Sequence, residues 1–298
     1  MPTPLPQPVR TWIGSGRTLQ VDGRAVFVRD SGSGPVPVVL IHGFPGSSYD
    51  WASLTEHLPG RVIAFDLPGY GFSDKSPRAS YSLFDQADVV EGVLGQLGVE
   101  RCVILAHDMG DTVTAELAVR SNAGKLGFAI DQIVLTNGSI FIALAQLTRG
   151  QRLTLRLPNR VAPFSLPTAV LRRSLLESFT ASAPPPPGAL DGLIAMIRND
   201  RGERLMPVLI RYIEERRVHQ DRWTAGLVDF PGPLSLIWGE EDPIAVTAMP
   251  ELMASLRPST SVTMLPGVGH WPAIEAPEQL ADAVRRQLSG PDPTRHRA

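Results

Sequence analysis

The sequence predicts an α/β fold in which helices cover both faces of a mostly parallel sheet. Seven short runs rich in Val and Ile have the length of strands, and several are apolar throughout, as in strands buried on both faces of a parallel sheet. Segments with helical spacing of apolar residues lie between these runs. Such an alternation is typical of a doubly wound sheet.

The predicted elements follow one another along the chain. The strands are expected at "RAVFVRD", "VPVVLIHG", "RVIAFDLPG", "CVILAHD", "QIVLTNG", "LSLIWGEED" and "SVTMLPG". Apolar residues recur every three or four positions in the intervening segments, which predicts helices over "SLFDQADVVEGVLGQLG", "DTVTAELAVRSN", "MPELMASL" and "APEQLADAVRRQL".

One long segment interrupts this alternation. Residues 139–230 show helical periodicity without strand signals and contain 13 Arg and no Lys against 8 acidic residues. An anionic substrate is one explanation of this charge, and a solvated face paired with an acidic core is the interpretation we prefer. We predict a helical cap over 139–230, a core over 1–138 and 231–290, and a C-terminal tail over 291–298.

The overall composition describes an ordinary globular protein. The chain is 43% apolar and 19% charged, with a net charge of −2, and nothing in this balance indicates binding to nucleic acid or to an acidic membrane surface. The start "MPTPLPQPVR" lacks the pattern of a signal peptide, and no stretch approaches the roughly 18 apolar residues of a membrane span. We therefore expect a cytoplasmic protein without membrane insertion.

The stretch "LAHDMGD" places Asp108 between a predicted strand and a predicted helix. Ala106 and Gly110 flank the aspartate with small side chains, as in the sharp strand-to-helix turn that exposes a nucleophile. An aspartate before a helix is also a common N-cap, which is the alternative for this residue.

Further polar groups follow other predicted strands. In "HGFPGSS" the backbone N–H of Phe44 can face the turn, and the N–H of Met109 can complete an oxyanion hole. "WGEEDPI" supplies Asp242 and "GVGHWP" supplies His270, in the chain order of nucleophile, acid and histidine. Together these residues predict a catalytic triad in which His270 is the base and Asp242 orients it.

The motifs "HGFPGSSYDW", "DLPGYGFSDK", "AHDMGD", "WGEEDP" and "GHWP" resemble the epoxide hydrolase and haloalkane dehalogenase branch of the α/β-hydrolases. Within that branch, "GFSDK", "HDMGDTV", "TNGSIF" and "IRYIEERR" most resemble the group around the mesoderm-specific transcript protein, whose members are commonly called hydrolases of uncertain substrate. The resemblance covers nearly the whole chain and implies an eight-stranded sheet with a cap inserted after the sixth strand.

An aspartate nucleophile implies a particular chemistry. A carboxylate attacks an sp³ carbon, displaces an oxygen or a halide, and forms an ester whose acyl part belongs to the enzyme. Water activated by His270 can then attack the carboxyl carbon of Asp108, with the oxyanion hole stabilising that tetrahedral stage. Asp108 therefore predicts alkylation of the enzyme followed by hydrolysis.

The leaving group decides between activities. An epoxide oxygen needs a proton, and in the resembled epoxide hydrolases lid tyrosines supply it. Tyr212 in "LIRYIEERR" is placed like one of those tyrosines, although packing is the alternative role. The second lid tyrosine is missing, which would leave Tyr212 acting alone or beside His219, Trp223 or a water.

The markers of dehalogenases are weaker in this chain. Haloalkane dehalogenases usually carry Trp after the nucleophile, where this sequence has Met109, and the arginine that closely follows the nucleophile of fluoroacetate dehalogenases is absent. Asn137 in "TNG" is a candidate halide donor or a turn residue. Hydrolysis of an apolar epoxide to a diol is our first hypothesis, with dehalogenation or ester or lactone hydrolysis second.

The remaining expectations concern the pocket and its partners. We place His42, His107, Asn137 and Trp271 around the substrate, and expect both histidines to serve as scaffold groups. No dinucleotide, phosphate-loop or metal spacing is present, so we expect no cofactor, and we expect a monomer or homodimer acting on a small organic substrate. A ligand-binding protein without catalysis is a hypothesis of another class, whose expected sign would be a broken triad.

Overall fold

A computed structural model describes residues 4–288 and shows one eight-stranded sheet in the order β1-β2-β4-β3-β5-β6-β7-β8. Strand β2 is antiparallel to β1 and β4, and the pairs from β3 to β8 are parallel. The predicted tail at 291–298 lies outside the described residues. The strands are β1 (Arg17–Val21), β2 (Arg24–Ser31), β3 (Val38–Ile41), β4 (Val62–Phe65), β5 (Arg101–His107), β6 (Ala129–Thr136), β7 (Leu234–Gly239) and β8 (Ser261–Leu265).

Twelve α-helices accompany the strands in the described part of the chain. They are α1 (Gln7–Gly14), α2 (Ala52–Thr55), α3 (Leu83–Gln96), α4 (Met109–Asn122), α5 (Arg149–Arg156), α6 (Thr168–Leu176), α7 (Ala189–Arg198), α8 (Met206–Leu209), α9 (Tyr212–Val228), α10 (Ala248–Leu256), α11 (Pro272–Glu275) and α12 (Pro277–Leu288). Short 3-10 helices span Ser48–Trp51 and Asn199–Leu205.

The sheet separates two apolar cores. Helices α3, α4 and α10 bury Val90, Val113 and Met249 on one face, and α1, α2 and α12 bury Trp12, Leu54 and further side chains on the other. Strands β3, β4 and β7 are buried at every position. This burial on both faces explains why their sequences are apolar throughout.

The predicted α/β-hydrolase fold is confirmed, and each of the seven predicted strands and four predicted helices is found. The eighth strand, β1, was not recognised among the apolar runs. Its sequence "RTLQV" is polar, and four of its five residues are exposed or half-buried because it lies at the edge of the sheet. An edge strand of this kind lacks the apolar pattern that marks a buried strand.

The segment between β6 and β7, residues 137–233, holds α5 to α9 and no strand. Leu171, Phe179 and Leu193 of this segment form a small apolar cluster that also includes Trp271 from the loop after β8. The long helix α9 packs directly on α4, where an added Cβ at Gly226 would lie 2.9 Å from the carbonyl oxygen of Ala115. The segment therefore lies over the carboxyl ends of the strands, and the predicted cap limits of 139–230 fall inside it.

Candidate active site

The turn between β5 and α4 holds Asp108 in a strained conformation, with φ 49° and ψ −110°. Residues other than glycine rarely adopt positive φ, and such strain is concentrated at functional sites. Gly110 lies so close to β3 that an added Cβ would be 2.4 Å from the carbonyl oxygen of Ile41. Asp108 occupies the N-cap position of α4, but its side chain makes no capping hydrogen bond to the helix.

The carboxylate of Asp108 is instead bound by the loop after β3. The backbone N–H of Phe44 donates to Asp108 Oδ2 at 2.8 Å. Gly43 permits this approach, because an added Cβ there would be 2.5 Å from Asp108 Cβ. Met109 is the first residue of α4, and its N–H therefore has no carbonyl partner within the helix. Oδ2 of the buried carboxylate is thus fixed by the Phe44 N–H, whereas Oδ1 does not accept from this donor.

His270 and Asp242 lie together at the ends of β8 and β7. His270 Nδ1 is 2.8 Å from Asp242 Oδ2, which also accepts from Asn137 Nδ2 at 2.7 Å. Asp242 Oδ1 accepts the backbone N–H groups of Ile244 and Ala245 at 2.7 and 2.9 Å. These bonds give both oxygens of the Asp242 carboxylate hydrogen-bond partners and orient the imidazole. The Nε2 atom of His270 takes no part in them.

The surroundings of three buried histidines near the site shift their pKa values in different directions. Burial opposes the charged form of His270, but the nearby carboxylates of Asp242 and Asp108 outweigh it and raise its pKa. Burial, followed by the charge of His270, lowers the pKa of His107 to about 4, and burial lowers the pKa of His42. Of these three side chains, His270 is suited to exchange protons near neutral pH.

A buried arginine from the insertion contacts the same turn. Arg216 on α9 is 2% exposed, and its Nη2 donates to the backbone oxygen of Asp108 at 2.7 Å while Nε donates to Thr112 Oγ1 at 2.6 Å. Its Nη1 is 3.9 Å from Asp108 Oδ1 and has no hydrogen-bond partner among residues 4–288. The guanidinium carbon lies 4.7 Å from the ring centroid of Tyr212.

Tyr212 is brought into the site from the start of α9. The side chain is 3% exposed, and its ring centroid is 5.6 Å from that of Phe44. Burial and then the charge of Asp108 raise the pKa of its phenol, and the charge of Arg216 opposes this shift. The phenol is therefore held neutral next to a carboxylate and a guanidinium.

A second buried tyrosine, Tyr70, comes from the loop after β4. Its hydroxyl donates to Met109 Sδ at 3.3 Å, directly beside the proposed nucleophile. Burial raises the pKa of Tyr70 well above its usual range, with further contributions from Tyr212 and Asp108. This buried tyrosine comes from the core and not from the insertion, and it was not predicted as a site residue.

The sequence partly indicates that Tyr212, Arg216 and Tyr70 lie near one another. Tyr212 and Arg216 are four residues apart and so share one face of α9, and Tyr70 stands in the motif "DLPGYGFSDK". Spacing alone does not distinguish Arg216 from the other 12 arginines of 139–230, because burial of a charged side chain depends on contacts with a distant element.

A cavity of about 450 Å³, part of it open to solvent, lies between the core and helices α5 and α6. Phe44 and His270 reach its wall, so it adjoins the predicted triad. It is lined by Phe44, Pro45, Thr148, Gly150, Gln151, Thr154, Leu171, Ser174, Leu175, Ser178, Met206, Ile244, His270 and Trp271.

Of the four predicted pocket residues, Trp271 lines this cavity and the other three do not. His42 Nε2 accepts the backbone N–H of Leu67 at 3.0 Å, and His107 Nε2 lies 2.6 Å from the backbone oxygen of His270. Asn137 is fully buried and holds Asp242. The structure places these three side chains in hydrogen bonds with Leu67, His270 and Asp242 and not in the wall of the cavity.

Within residues 4–288, no group of three or more His, Cys, Asp or Glu side chains is arranged to hold a metal ion. None of the helices in this part of the chain has both the length and the hydropathy needed to cross a membrane.

Comparison with known proteins places this arrangement in a family. Residues 38–283 match the profile of the Alpha/beta hydrolase family. The chain is 38% identical over 279 residues to the putative hydrolase LipZ of Mycobacterium tuberculosis, covering 93% of this chain and 96% of LipZ. It is 35% identical over 302 residues to the mesoderm-specific transcript homolog protein of Bos taurus, covering 95% and 88%. It is 26% identical over 266 residues to epoxide hydrolase 3 of Xenopus tropicalis, covering 83% and 70%.

Proposed function

The chain belongs to the alpha/beta hydrolase family, and from this premise we propose that it hydrolyses apolar epoxides to diols through an alkyl ester of Asp108. The observation that carries the proposal is the environment of the carboxylate. One oxygen accepts the N–H of Phe44, Arg216 Nη1 lies 3.9 Å from the other, and the Tyr212 ring packs against both Arg216 and Phe44.

In the proposed first step, Asp108 Oδ1 attacks a ring carbon of the epoxide. The new C–O bond forms as the ring C–O bond breaks, and the departing oxygen takes the proton of the Tyr212 hydroxyl. The resulting tyrosinate lies against the guanidinium of Arg216, whose charge stabilises it. The step leaves a hydroxyalkyl ester on Asp108 and a negative charge on Tyr212.

In the second step, His270 takes a proton from water, and the hydroxide attacks the carboxyl carbon of Asp108. The N–H groups of Phe44 and Met109 stabilise the oxyanion at Oδ2. Collapse of the tetrahedral intermediate breaks the ester bond, and the departing alkoxide takes the proton of the hydroxyl group that was added. This restores the carboxylate of Asp108 and releases the diol. The proton held by His270 then returns to Tyr212, so the cycle consumes one epoxide and one water.

The electrostatics of the site fit this order of events. The charge of Asp108 is one of the causes that raise the pKa of His270. Esterification removes that charge, which shifts His270 towards the neutral form at the stage where a base is needed. A serine in the same position would not provide this coupling, since its resting hydroxyl is uncharged.

The residues that line the cavity support an apolar substrate. Part of the lining is apolar and consists of Leu171, Leu175, Met206 and Ile244. The Ser174 hydroxyl and the other hydroxyl side chains of the lining can form hydrogen bonds with a substrate. We propose that residues 139–230 act as the cap that closes this space from water. The amide of Asn137 already donates to Asp242, so the halide donor considered from the sequence is engaged elsewhere.

The test uses His270→Gln, which should still permit alkylation of Asp108 but stall hydrolysis of the ester. The variant is incubated separately with pooled epoxides and pooled haloalkanes, and intact protein mass is recorded, with Asp108→Ala as the control. An adduct of the whole epoxide mass in the variant and not in the control is the expected result. An adduct lighter than its haloalkane by a hydrogen halide, with none from epoxides, would replace this proposal with dehalogenation, and no adduct from either pool would contradict alkylation of Asp108.

A further inference from the structure

We propose that the outer surface of α5, α6 and their connection binds an anionic lipid surface, and we call it the arginine face. It consists of exposed arginines interleaved with exposed apolar side chains on residues 149–176. Its members are Arg149, Arg152, Leu153, Arg156, Leu157, Arg160, Phe164, Val170, Arg173 and Leu176.

The charge of this surface is not balanced within the molecule. Residues 149–176 contain 6 arginines and no Asp or Glu. Arg172 pairs with Asp191, but none of the five arginines of the face forms an ion pair with another described residue. Two other arginines of the insertion form ion pairs within the molecule, Arg211 with Glu214 at 2.7 Å and Arg222 with Glu116 at 2.9 Å. The expected pairing with an acidic core therefore does not extend to this face, which remains free for a negatively charged partner.

The same surface exposes apolar side chains that a water-facing helix would normally avoid. Phe164 is 71% exposed and Leu153 is 63% exposed. The described residues include ten exposed large apolar side chains, and five of them lie within 153–176. This concentration in one short segment indicates a binding surface, because single scattered exposed apolar residues are ordinary.

The two helices lie side by side above the cavity. An added Cβ at Gly150 on α5 would be 3.1 Å from Ser174 Cβ on α6, which places the helices in direct contact. The inner sides of both helices line the cavity that His270 also reaches. A partner bound to the outer sides would therefore lie next to the space in which an apolar substrate is received.

An anionic lipid surface is the partner that fits both the unpaired positive charge and the exposed apolar side chains of the arginine face. On α5, Arg149, Arg152, Leu153 and Arg156 share one exposed face at helical spacing. Arginine stems can pack among lipid headgroups while their guanidinium groups contact phosphates, and the Leu and Phe side chains can enter the apolar boundary. Anionic headgroups supply the missing negative charge.

The experiment measures sedimentation of the full-length protein with vesicles. Vesicles of phosphatidylcholine alone are compared with vesicles containing roughly one third phosphatidylglycerol, at low salt and at about 1 M salt, where charge screening is nearly complete. We expect binding to the anionic vesicles at low salt, weak binding to the neutral ones, and release by salt. Binding to the anionic vesicles at low salt should weaken about a hundred-fold in the triple variant Arg152→Gln/Arg156→Gln/Arg160→Gln, because each arginine contributes about five-fold.

Matched controls distinguish the face from net charge. Arg78→Gln/Arg101→Gln/Arg286→Gln changes the charge equally at exposed sites outside the insertion and should have a much smaller effect. Phe164→Ser should also weaken binding, whereas Val218→Ser, at a site 75% exposed on α9, should not. Equal losses in the two triple variants, or no preference for anionic vesicles, would overturn the proposal. A homodimer that Phe164→Ser dissociates would assign the face to a second copy instead. None of these readouts depends on hydrolase activity.

Discussion

Tyr212 and Arg216 form a stacked pair on one face of α9, with the guanidinium carbon 4.7 Å from the ring centroid. The pair lies at the proposed nucleophile, since Arg216 also donates to the backbone oxygen of Asp108. A phenol beside a fixed cation can release its proton to a departing alkoxide more readily than an isolated buried phenol. The insertion therefore places a phenol and a guanidinium beside Asp108, and we propose that it takes part in the chemistry as well as covering the site.

The first prediction concerns the proton donor. Tyr212→Phe removes the hydroxyl but keeps the ring against Phe44 and Arg216, so the protein should remain folded. We expect the rate of epoxide-dependent alkylation in the His270→Gln background to fall about 10²- to 10⁴-fold, the range of a lost general acid. Intact-protein mass against time measures this rate.

Tyr81→Phe is the control, because the Tyr81 hydroxyl donates to the backbone oxygen of Ser76 outside the site. An unchanged alkylation rate in Tyr212→Phe would show that another group, with Tyr70 as the first candidate, protonates the oxygen. Tyr70→Phe would then show the loss expected of Tyr212.

The second prediction separates charge from geometry at Arg216. Arg216→Lys retains the positive charge but cannot reproduce the bonds to Thr112 and to the Asp108 carbonyl. We expect a loss of about 2 kcal/mol in the free energy of unfolding, the scale of a hydrogen bond to a charged group. Alkylation should slow because the turn that holds Asp108 loses its support.

The matched control is Arg217→Lys, at the next position on α9, which is exposed. Urea unfolding followed by far-UV circular dichroism should show no measurable change for this variant. A loss of stability as large in Arg217→Lys as in Arg216→Lys would contradict the supporting role of Arg216.

The third prediction follows from the raised pKa of His270. Hydrolysis of the ester needs neutral His270, so its rate should increase as the pH rises through that pKa. Asp242 raises this pKa, and Asp242→Asn should therefore move the midpoint of the increase to lower pH. The plateau rate should also fall by about 10³- to 10⁴-fold, because the imidazole loses its orienting carboxylate.

Single-turnover hydrolysis of the ester over a series of pH values gives this midpoint. Glu240→Gln, at an exposed position beside the same loop, should leave it in place. A midpoint that is the same in Asp242→Asn and in the unmodified protein would mean that His270 is not the titrating base.

Particular residues show how far the sequence determined these conclusions. The buried strands and the turn at Asp108 were predictable, because apolar runs and small flanking residues are local properties of the chain. Strand β1 was not, since its pairing with β2 stabilises a polar segment with no pattern of its own. The position of Arg216 depends on how α9 packs on α4, and the role of Asn137 depends on a contact 105 residues away. Such distant contacts leave no periodic signal.

The fourth prediction tests the close packing of the turn. In Gly110→Ala the new methyl group would lie 2.4 Å from the Ile41 carbonyl oxygen, so β3 and α4 must separate. We expect a loss of stability of about 3 kcal/mol, the upper range for overpacking in a core. Gly95→Ala, at an exposed position in α3 with nothing within 4 Å of the new group, should instead raise stability by about 0.5 to 1 kcal/mol. Thermal unfolding of the two variants should therefore give shifts of opposite sign.

The fifth prediction concerns Glu116, which joins α4 to the helix that carries Tyr212. Its buried carboxylate accepts from Arg120 at 3.0 Å, from Arg222 at 2.9 Å and from Trp223 Nε1 at 3.0 Å. Glu116→Gln leaves these donors incompletely paired, and we expect a loss of about 3 kcal/mol at neutral pH. Glu214→Gln, in the exposed pair with Arg211, should cost at most about 0.5 kcal/mol.

The effect of Glu116→Gln should depend on pH in a defined direction. Burial opposes ionisation of Glu116, but the bonds from Arg222 and Arg120 outweigh it and lower its pKa. A lowered pKa in the folded state gives a stabilisation that is complete above the unfolded value of about 4.3 and is lost as the pH falls through the folded value. The difference in unfolding free energy between the unmodified protein and Glu116→Gln should therefore narrow in acid. A difference that stays constant from neutral pH down to that range would show that α4 and α9 are joined by packing alone.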